Sequence, residues 1–234
     1  MQASELPSFT APAGNVARHA AVLMLFSDSP ASATEALSDI PARQSALPHV
    51  LMLQRSHDMR SHAGQMAFPG GAQDPADQDA VAAALREAQE ETGLDPRGVE
   101  VVGVLPTLWL PPSNFDVTPV VGLWSSPSAV HAVDPAETAS VHLVAVDALV
   151  EPENRVTIRH FSGYLGPAFL IDGLVIWGFT AGLLSRLLAK CGWDRPWDES
   201  RVMDLPDELT ASSLRDHRRT DSESSARIEA TDIA

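Results

Sequence analysis

Three glutamates lie close together in the segment REAQEETG, residues 86–93, and a pair of glycines precedes them. Glu87 and Glu91 are four residues apart and Glu90 is three from Glu87, so all three share one side of a helix that forms here. Carboxylate oxygens on a rigid helix are hard ligands of the kind that Mg²⁺ and Mn²⁺ prefer in proteins. The spacing therefore indicates a divalent-metal site, and the alternative is a solvated acidic face.

The charge of the whole chain limits what such a site would serve. The sequence has 16 Lys and Arg residues against 31 Asp and Glu residues, a formal net charge of −15 over 234 residues. This balance argues against a general surface for nucleic acid or acidic membrane, which needs a basic footprint. An anionic substrate would need local positive charge, and a bound metal ion supplies it.

Cysteine content and hydropathy indicate the class of protein. The single cysteine, Cys191, excludes an internal disulfide and a cysteine-rich zinc site. The N-terminus lacks the charged start and apolar run of a signal peptide. The longest apolar stretch, residues 174–185, is shorter than the about 20 residues that span a bilayer. We expect a soluble, cytoplasmic protein.

The helix that would carry the glutamates is the clearest element in the sequence. The Ala-rich segment 79–92 has high helix propensity. Asp77 or Asp79 can cap its N-terminus, and Gly93 is a natural C-terminal stop. Apolar side chains recur at helical spacing on the face opposite the glutamates, so we expect this helix to pack on a core through that face.

Apolar runs predict the elements around this helix. Strands are predicted at residues 20–26, 49–56, 99–105, 117–124 and 139–146, a hairpin turn at Asp172-Gly173, and a closing amphipathic helix at 178–192. Pro119 is expected to interrupt the strand at 117–124, because proline removes a hydrogen bond of the sheet.

The two ends of the chain differ in composition from its middle. Residues 1–17 are rich in Pro, Ser, Ala and Gly, which predicts a flexible N-terminal arm. Residues 199–234 are polar, charged and poor in large apolar side chains, which predicts a disordered C-terminal tail. One domain is therefore expected over residues 18–198.

The glutamate segment, extended to residue 94, resembles the second half of the Nudix box, whose pattern is G-x5-E-x7-R-E-U-x-E-E-x-G-U with U aliphatic. This resemblance implies that Glu87 and Glu91 bind the metal, with Glu90 as a further ligand. It also implies that one carboxylate, for example Glu87, activates the attacking water. Arg86 would pair with a neighbouring glutamate and hold its side chain in place.

The first half of the box departs from the pattern by one residue. Counting back from the arginine, Ala72 falls where Gly is expected and Gln78 falls where Glu is expected. An insertion of one residue restores the match, with Gly71 as the glycine and Asp77 as the acid. The resemblance implies that Gly71 offers its backbone carbonyl to a metal ion. Asp77 would either hydrogen-bond near the box loop or cap the helix.

The upstream segment LMLQRSHDMRSHAGQMAFPGG, residues 51–71, is similar to the signature of coenzyme A pyrophosphatases, L-L-T-x-R-[SA]-x3-R-x3-G-x3-F-P-G-G. The matching residues are Leu51, Arg55, Ser56, Arg60, Gly64, Phe68, Pro69, Gly70 and Gly71. This subfamily also carries the longer box. Arg55 and Arg60 are implied to bind substrate phosphate, since a guanidinium fits phosphate in a bidentate manner. Gly70 and Gly71 would let the backbone approach the substrate. The alternative for both arginines is an ordinary solvated surface position.

The resemblance, which covers roughly residues 20–190, implies a fold and an activity. The fold is α/β (α+β), a mixed β-sheet sandwiched between α-helices. The activity is metal-dependent hydrolysis of the diphosphate of coenzyme A or acyl-CoA to 3′,5′-ADP and 4′-phosphopantetheine or its acyl derivative, with Mg²⁺ or Mn²⁺ as cofactor. The partner is a small molecule rather than nucleic acid or membrane, and a homodimer is compatible with the fold.

Other interpretations stay open from the sequence. The box is shared by hydrolases of other nucleoside diphosphate derivatives, such as ADP-ribose, NADH or a modified nucleotide. A catalytically silent module that binds a nucleotide is a further alternative, but it does not need three intact glutamates. Glu137 precedes a predicted strand, where some family members have a late acidic group, and a plain loop carboxylate is the default there.

Overall fold

The computed structural model describes residues 16–28, 46–59, 61–110 and 113–216. The strands are β1 (Arg18–Ser27), β2 (His49–Arg55), β3 (Met66–Ala67), β4 (Gly70–Ala72), β5 (Val99–Val104), β6 (Leu108–Leu110), β7 (Phe115–Trp124), β8 (Thr138–Ala145), β9 (Arg155–Arg159), β10 (Leu165–Ile171), β11 (Leu174–Ile176) and β12 (Val202–Asp204). The helices are α1 (Ala80–Thr92), α2 (Val146–Val150), α3 (Gly178–Lys190) and α4 (residues 207–216).

The strands form two sheets. In the larger sheet the order is β3-β2-β1-β7-β5, with β4 paired to β1, β6 to β7 and β8 to β2. Its β1–β7 pair is parallel and its other pairs are antiparallel, so the sheet is mixed. The smaller sheet has the order β11-β10-β9-β12.

The larger sheet lies between helices, and β1 shows how the sequence produces this arrangement. Alternate residues of a strand face opposite sides of the sheet. Leu23 and Leu25 belong to the buried cluster that contains Ala84 of α1. Met24 belongs to the cluster on the other side, with Leu184 of α3. The continuous apolar run of β1 therefore reflects burial on both faces, and the predicted fold, a mixed sheet sandwiched between helices, is confirmed.

The α1 helix begins and ends as its sequence predicts. Asp79 is the N-cap, and its Oδ1 accepts a hydrogen bond from the backbone N–H of Ala82 at 2.8 Å. Gly93 ends the helix with φ of 69° and donates its N–H to the carbonyl of Gln89. Of the two acids that could cap the helix, Asp79 takes this position and leaves Asp77 available for another contact.

The expected interruption at Pro119 is wrong. β7 runs without a break through Pro119 and pairs with β1 along its length. The carbonyl of Pro119 accepts a hydrogen bond from Leu105, which lies just beyond β5, and β6 begins at Leu108. Pro119 therefore lies opposite the gap between β5 and β6, where the missing N–H interrupts neither of those strands.

The disordered tail expected from residue 199 is wrong for its first part. Residues 202–204 form β12, which pairs in parallel with β9, and residues 207–216 are helical. Leu205 and Leu209 supply the buried apolar surface for this segment by packing in one cluster with residues of β9 and β10. Two leucines are enough to order this polar stretch because the second sheet provides an apolar surface that buries them.

Arg155 anchors the segment that leads from α3 to β12. Its side chain is fully buried and donates hydrogen bonds to Asp194 Oδ1 and Ser185 Oγ, both at 2.8 Å. The guanidinium also lies over the rings of Phe169 and Trp197. These contacts hold the segment against the second sheet and α3.

Some predictions fall on residues that the structure does not describe. Arg60, most of the N-terminal arm and the last part of the expected C-terminal tail, residues 217–234, lie outside the described ranges. Within those ranges no helix has both the length and the apolar character required to cross a membrane. The cytoplasmic location stays a prediction.

Candidate active site

Arg86 is the centre of an ion-pair network at the glutamate helix. Its Nε and Nη2 donate to the two carboxylate oxygens of Asp77 at 3.1 and 2.9 Å. Its Nη1 donates to Glu87 Oε1 at 3.1 Å and to Glu90 Oε2 at 2.8 Å. A further hydrogen bond from Nη2 to the carbonyl of Ala72 measures 3.0 Å. One guanidinium therefore fixes two glutamates and ties α1 to the preceding loop.

Asp77 is the part of this network that the sequence left open. Its side chain is only 6% exposed and also accepts a hydrogen bond from the backbone N–H of Asp74. The guanidinium of Arg86 lowers the pKa of Asp77, so the pair stays charged. The position that the one-residue insertion assigns to the acid of the box is therefore occupied by the partner of Arg86.

Replacement of Arg86 by Lys is expected to lower kcat about 10–100-fold with little change in KM, because an ammonium cannot bind Asp77 in a bidentate manner and reach Glu87 together. Steady-state kinetics with circular dichroism as a check on folding will measure this. Arg97→Lys is the matched control, since the Arg97 side chain is 90% exposed and pairs with Asp95 in another loop. Full activity of the Arg86 variant would contradict the positioning role.

Glu91 is held beneath the glycine pair. Its Oε2 accepts a hydrogen bond from the backbone N–H of Gly70 at 2.9 Å. Burial raises the pKa of Glu91 to about 7, against the opposing effects of the Gly70 hydrogen bond and the charge of Arg55. The neighbouring charges of Glu87 and Glu137 contribute to this raised pKa. Glu91 is thus the carboxylate of this group that can bind and release a proton near neutral pH.

Glu87 lies against the second glycine of the pair. A Cβ atom placed on Gly71 would be 2.5 Å from the carboxylate carbon of Glu87, so a larger residue there would displace this carboxylate from its present position. Burial raises the pKa of Glu87, and Arg86 opposes that effect. The glycine pair therefore brings backbone against both Glu87 and Glu91.

The raised pKa of Glu91 predicts how stability depends on pH in the metal-free protein. Between its unfolded value near 4.5 and the folded value of about 7, the folded state binds the extra proton. This contribution is present at pH 5 and is lost as the pH rises through 7. We expect the free energy of unfolding to fall by on the order of 2 kcal/mol between pH 5 and pH 8, relative to Glu91→Gln.

Urea unfolding of both proteins at the two pH values, with a chelator present, measures this difference. The Gln variant is the control because it keeps the shape of the side chain but has no proton to bind. A constant difference between the two proteins would show that Glu91 titrates at its ordinary value.

Two further charged residues complete the group. Glu137 and Arg55 both lie close enough to influence the charge state of Glu91. The carbonyl of Glu137 accepts a hydrogen bond from the N–H of Ser56, at 2.8 Å, which brings the loop before β8 to the end of β2. From the sequence alone Glu137 is a loop carboxylate by default, because nothing local reveals this long-range pairing.

Other predicted site residues are placed differently. The side chain of Glu90 is 58% exposed and its Oε2 is engaged by Arg86. In the part of the chain that the structure describes, no three His, Cys, Asp or Glu side chains are arranged to hold a metal ion. The third carboxylate of the predicted metal set is therefore oriented toward Arg86, whereas Glu87 and Glu91 both lie at the glycine pair.

Comparison with known proteins identifies the family. The model of the family described as "NUDIX domain" matches residues 40–162, which include the glycine pair, α1 and Glu137. The chain belongs to the NUDIX domain family. A Citrobacter koseri protein named "Uncharacterized Nudix hydrolase NudL" is 37% identical over an alignment of 166 residues, and the match covers 65% of this chain and 80% of that protein. The Escherichia coli K12 protein of the same name is 36% identical over 165 residues, with the same coverage.

Among solved structures, the chain is similar to a Nudix hydrolase from M. Smegmatis, RenU, with 23% identity and a TM-score of 0.40 over 56% of this chain and 73% of that one.

As a Nudix hydrolase, the protein acts on pyrophosphate bonds, and its substrates are nucleoside diphosphate derivatives. Nudix hydrolases generally use divalent metal ions, and the acidic group on α1 is the part of this chain with oxygen ligands for them.

Proposed function

We propose that this Nudix hydrolase cleaves the diphosphate of coenzyme A or acyl-CoA to 3′,5′-ADP and 4′-phosphopantetheine or its acyl derivative. The supporting observation is that the segment 51–71, which resembles the coenzyme A pyrophosphatase signature, ends in a glycine pair that contacts Glu87 and Glu91 of the glutamate helix. Gly70 donates its N–H to Glu91, and Arg55 lies within electrostatic reach of the same carboxylate. The residues that would select the substrate and those that would act on it thus meet in one place.

The residues at this place fit a divalent metal. All the candidate donors are oxygens, as Mg²⁺ and Mn²⁺ prefer. Burial raises the pKa of both Glu87 and Glu91, so both carboxylates lie where a bound cation would favour their charged form. We propose Glu87, Glu91 and the carbonyl of Gly71 as metal ligands, with Glu90 as a further ligand when its contact with Arg86 is exchanged. Such an ion neutralises phosphate oxygens and polarises phosphorus when bound.

The protein's own residues then have separate tasks. Arg86 holds Glu87 in place through their 3.1 Å hydrogen bond. Glu87 or Glu91 accepts the proton of the attacking water. Burial raises the pKa of both carboxylates, and a pKa of about 7 for Glu91 suits a base near neutral pH. As the new oxygen–phosphorus bond forms, the bond from that phosphorus to the bridging oxygen breaks. Arg55, with Arg60, binds the phosphates and favours the negative charge of the leaving group.

Product analysis tests this proposal. The protein is incubated with coenzyme A and Mg²⁺, and the products are separated by chromatography and identified by mass spectrometry. We expect 3′,5′-ADP and 4′-phosphopantetheine, and no turnover when a chelator removes the metal. A panel with ADP-ribose, NADH and acyl-CoA is run in parallel. A preference for a substrate without pantetheine would overturn the coenzyme A assignment but keep the Nudix activity.

The silent nucleotide-binding module is tested in the same panel. Tight binding of a nucleotide by calorimetry with no product in saturating Mg²⁺ and Mn²⁺ would support that alternative. The intact Glu87, Glu91 and Arg86 group argues against it, because a binding protein gains nothing from burying carboxylates together.

A further inference from the structure

The last described turn of α4 contacts the loop that follows Arg55 in the substrate signature. We name residues 56–64 the signature loop; Arg60 within it lies outside the described residues. The backbone N–H of His62 donates to Asp216 Oδ2 at 2.9 Å, across 154 positions of the sequence. The Asp216 side chain is 16% exposed, while that of His62 is 52% exposed. The carboxylate of Asp216 is therefore more buried than the imidazole of His62.

The helix that presents Asp216 is fixed independently of the signature loop. Leu209 packs in the cluster of β9 and β10, and Ser212 is buried. The Oγ of Ser213 lies 2.7 Å from Nε2 of His160, at the end of β9. Asp216 therefore projects from an element that is already anchored to the second sheet, so it can act as a fixed point for the loop.

The signature loop needs such a fixed point at His62. The φ angle of His62 is 56°, in the left-handed region that side-chain-bearing residues seldom adopt. This conformation carries a cost that other contacts must offset. The carbonyl of His62 accepts from Gln65, and the N–H of Gly64 donates to the carbonyl of Arg55. The hydrogen bond to Asp216 thus supports His62, and the turn at His62 brings Gly64 back to the carbonyl of Arg55.

We propose that Asp216 is a positioning residue that holds the signature loop in its substrate-binding shape. This inference rests on the proposed function, because it assigns the signature loop to substrate binding. Asp216 lies outside residues 40–162, the range that matches the NUDIX domain. Its effect is expected on substrate affinity and not on the chemical step, because the contacts described for α4 are with the second sheet, His160 and His62.

Kinetics of full-length variants test the role of the carboxylate. Asp216→Ala is expected to raise KM about tenfold with kcat within about twofold, the effect of losing one charge-assisted hydrogen bond. Asp216→Asn keeps an acceptor oxygen and is expected to restore KM to within about threefold of wild type. Glu208→Ala is the matched control, since Glu208 is an exposed acid on the same helix. It is expected to leave both parameters unchanged.

Hydrogen exchange followed by mass spectrometry tests the contact without any substrate. The amide of His62 is expected to exchange at least tenfold faster in Asp216→Ala than in wild type, while peptides from α1 keep their rates. Equal exchange at His62 would overturn the inference. Faster exchange with unchanged KM would also overturn it, because the contact would then be structural alone.

The exchange result separates this inference from the proposed function. If coenzyme A is not a substrate, KM is measured with the diphosphate that the panel identifies. If the panel identifies none, the proposed function fails, and the substrate role given to Asp216 fails with it. A change at the His62 amide would then establish only the contact between α4 and the loop.

Discussion

Replacing Glu91 by Gln will lower kcat about 10²–10³-fold while the protein stays folded. The Gln side chain has nearly the same volume and keeps an oxygen that can accept the hydrogen bond from Gly70. It lacks the negative charge that a metal ligand needs and the basicity that a proton acceptor needs. The variant therefore removes the chemistry proposed for this position and leaves its packing in place.

Turnover of coenzyme A in saturating Mg²⁺ measures this effect, with circular dichroism and thermal unfolding as checks on the fold. Glu100→Gln is the matched control, because Glu100 is an exposed glutamate on β5. We expect the control to keep the activity of wild type. Equal turnover by Glu91→Gln and wild type would refute the assignment of the site.

Replacing Gly70 by Ala will destabilise the protein by about 3 kcal/mol or more. The φ angle of Gly70 is 156°, and a Cβ atom there would lie 2.3 Å from the backbone carbonyl oxygen of Ala21 in β1. The obstacle is backbone in a central strand, which cannot move aside as a side chain would. Relief of the clash would separate β4 from β1. It would also move the N–H of Gly70 away from Glu91, which accepts a hydrogen bond from it.

Urea unfolding of the wild type and the variant measures the loss. The control is Gly103→Ala, in β5 of the same sheet, where an added Cβ has no heavy atom within 4 Å. We expect the control to change the free energy of unfolding by less than about 1 kcal/mol. A Gly70→Ala protein as stable as the control would show that β4 can shift at little cost.

The sequence predicts the parts of this fold that depend on local patterns. The Ala-rich composition, an aspartate cap and Gly93 define α1 within one residue of its observed start. Apolar runs locate the strands of the core, and the turn at Asp172-Gly173 joins β10 to β11 as expected. These features are local because propensity, capping and backbone conformation depend on neighbouring residues.

The parts that the sequence does not predict depend on distant partners. The contact between Glu137 and Ser56 follows from the pairing of two strands, and Trp197 packs against the buried guanidinium of Arg155. The polar composition after residue 199 predicts disorder, yet Leu205 finds a surface on the second sheet. Composition measures what a segment can bury by itself and takes no account of the surface that another element offers it.

The position of β1 has a consequence for how the chain acquires its structure. β1 pairs in parallel with β7, whose residues follow it by nearly a hundred positions, and Val22, for example, faces Pro119. During synthesis at the ribosome, this apolar strand emerges long before its partner exists. The entropy cost of closing so large a loop must be met before the β1–β7 contacts form, and this slows folding. The nascent chain therefore exposes an aggregation-prone segment until residue 124 has been made, and chaperones that bind extended apolar strands are expected to protect it.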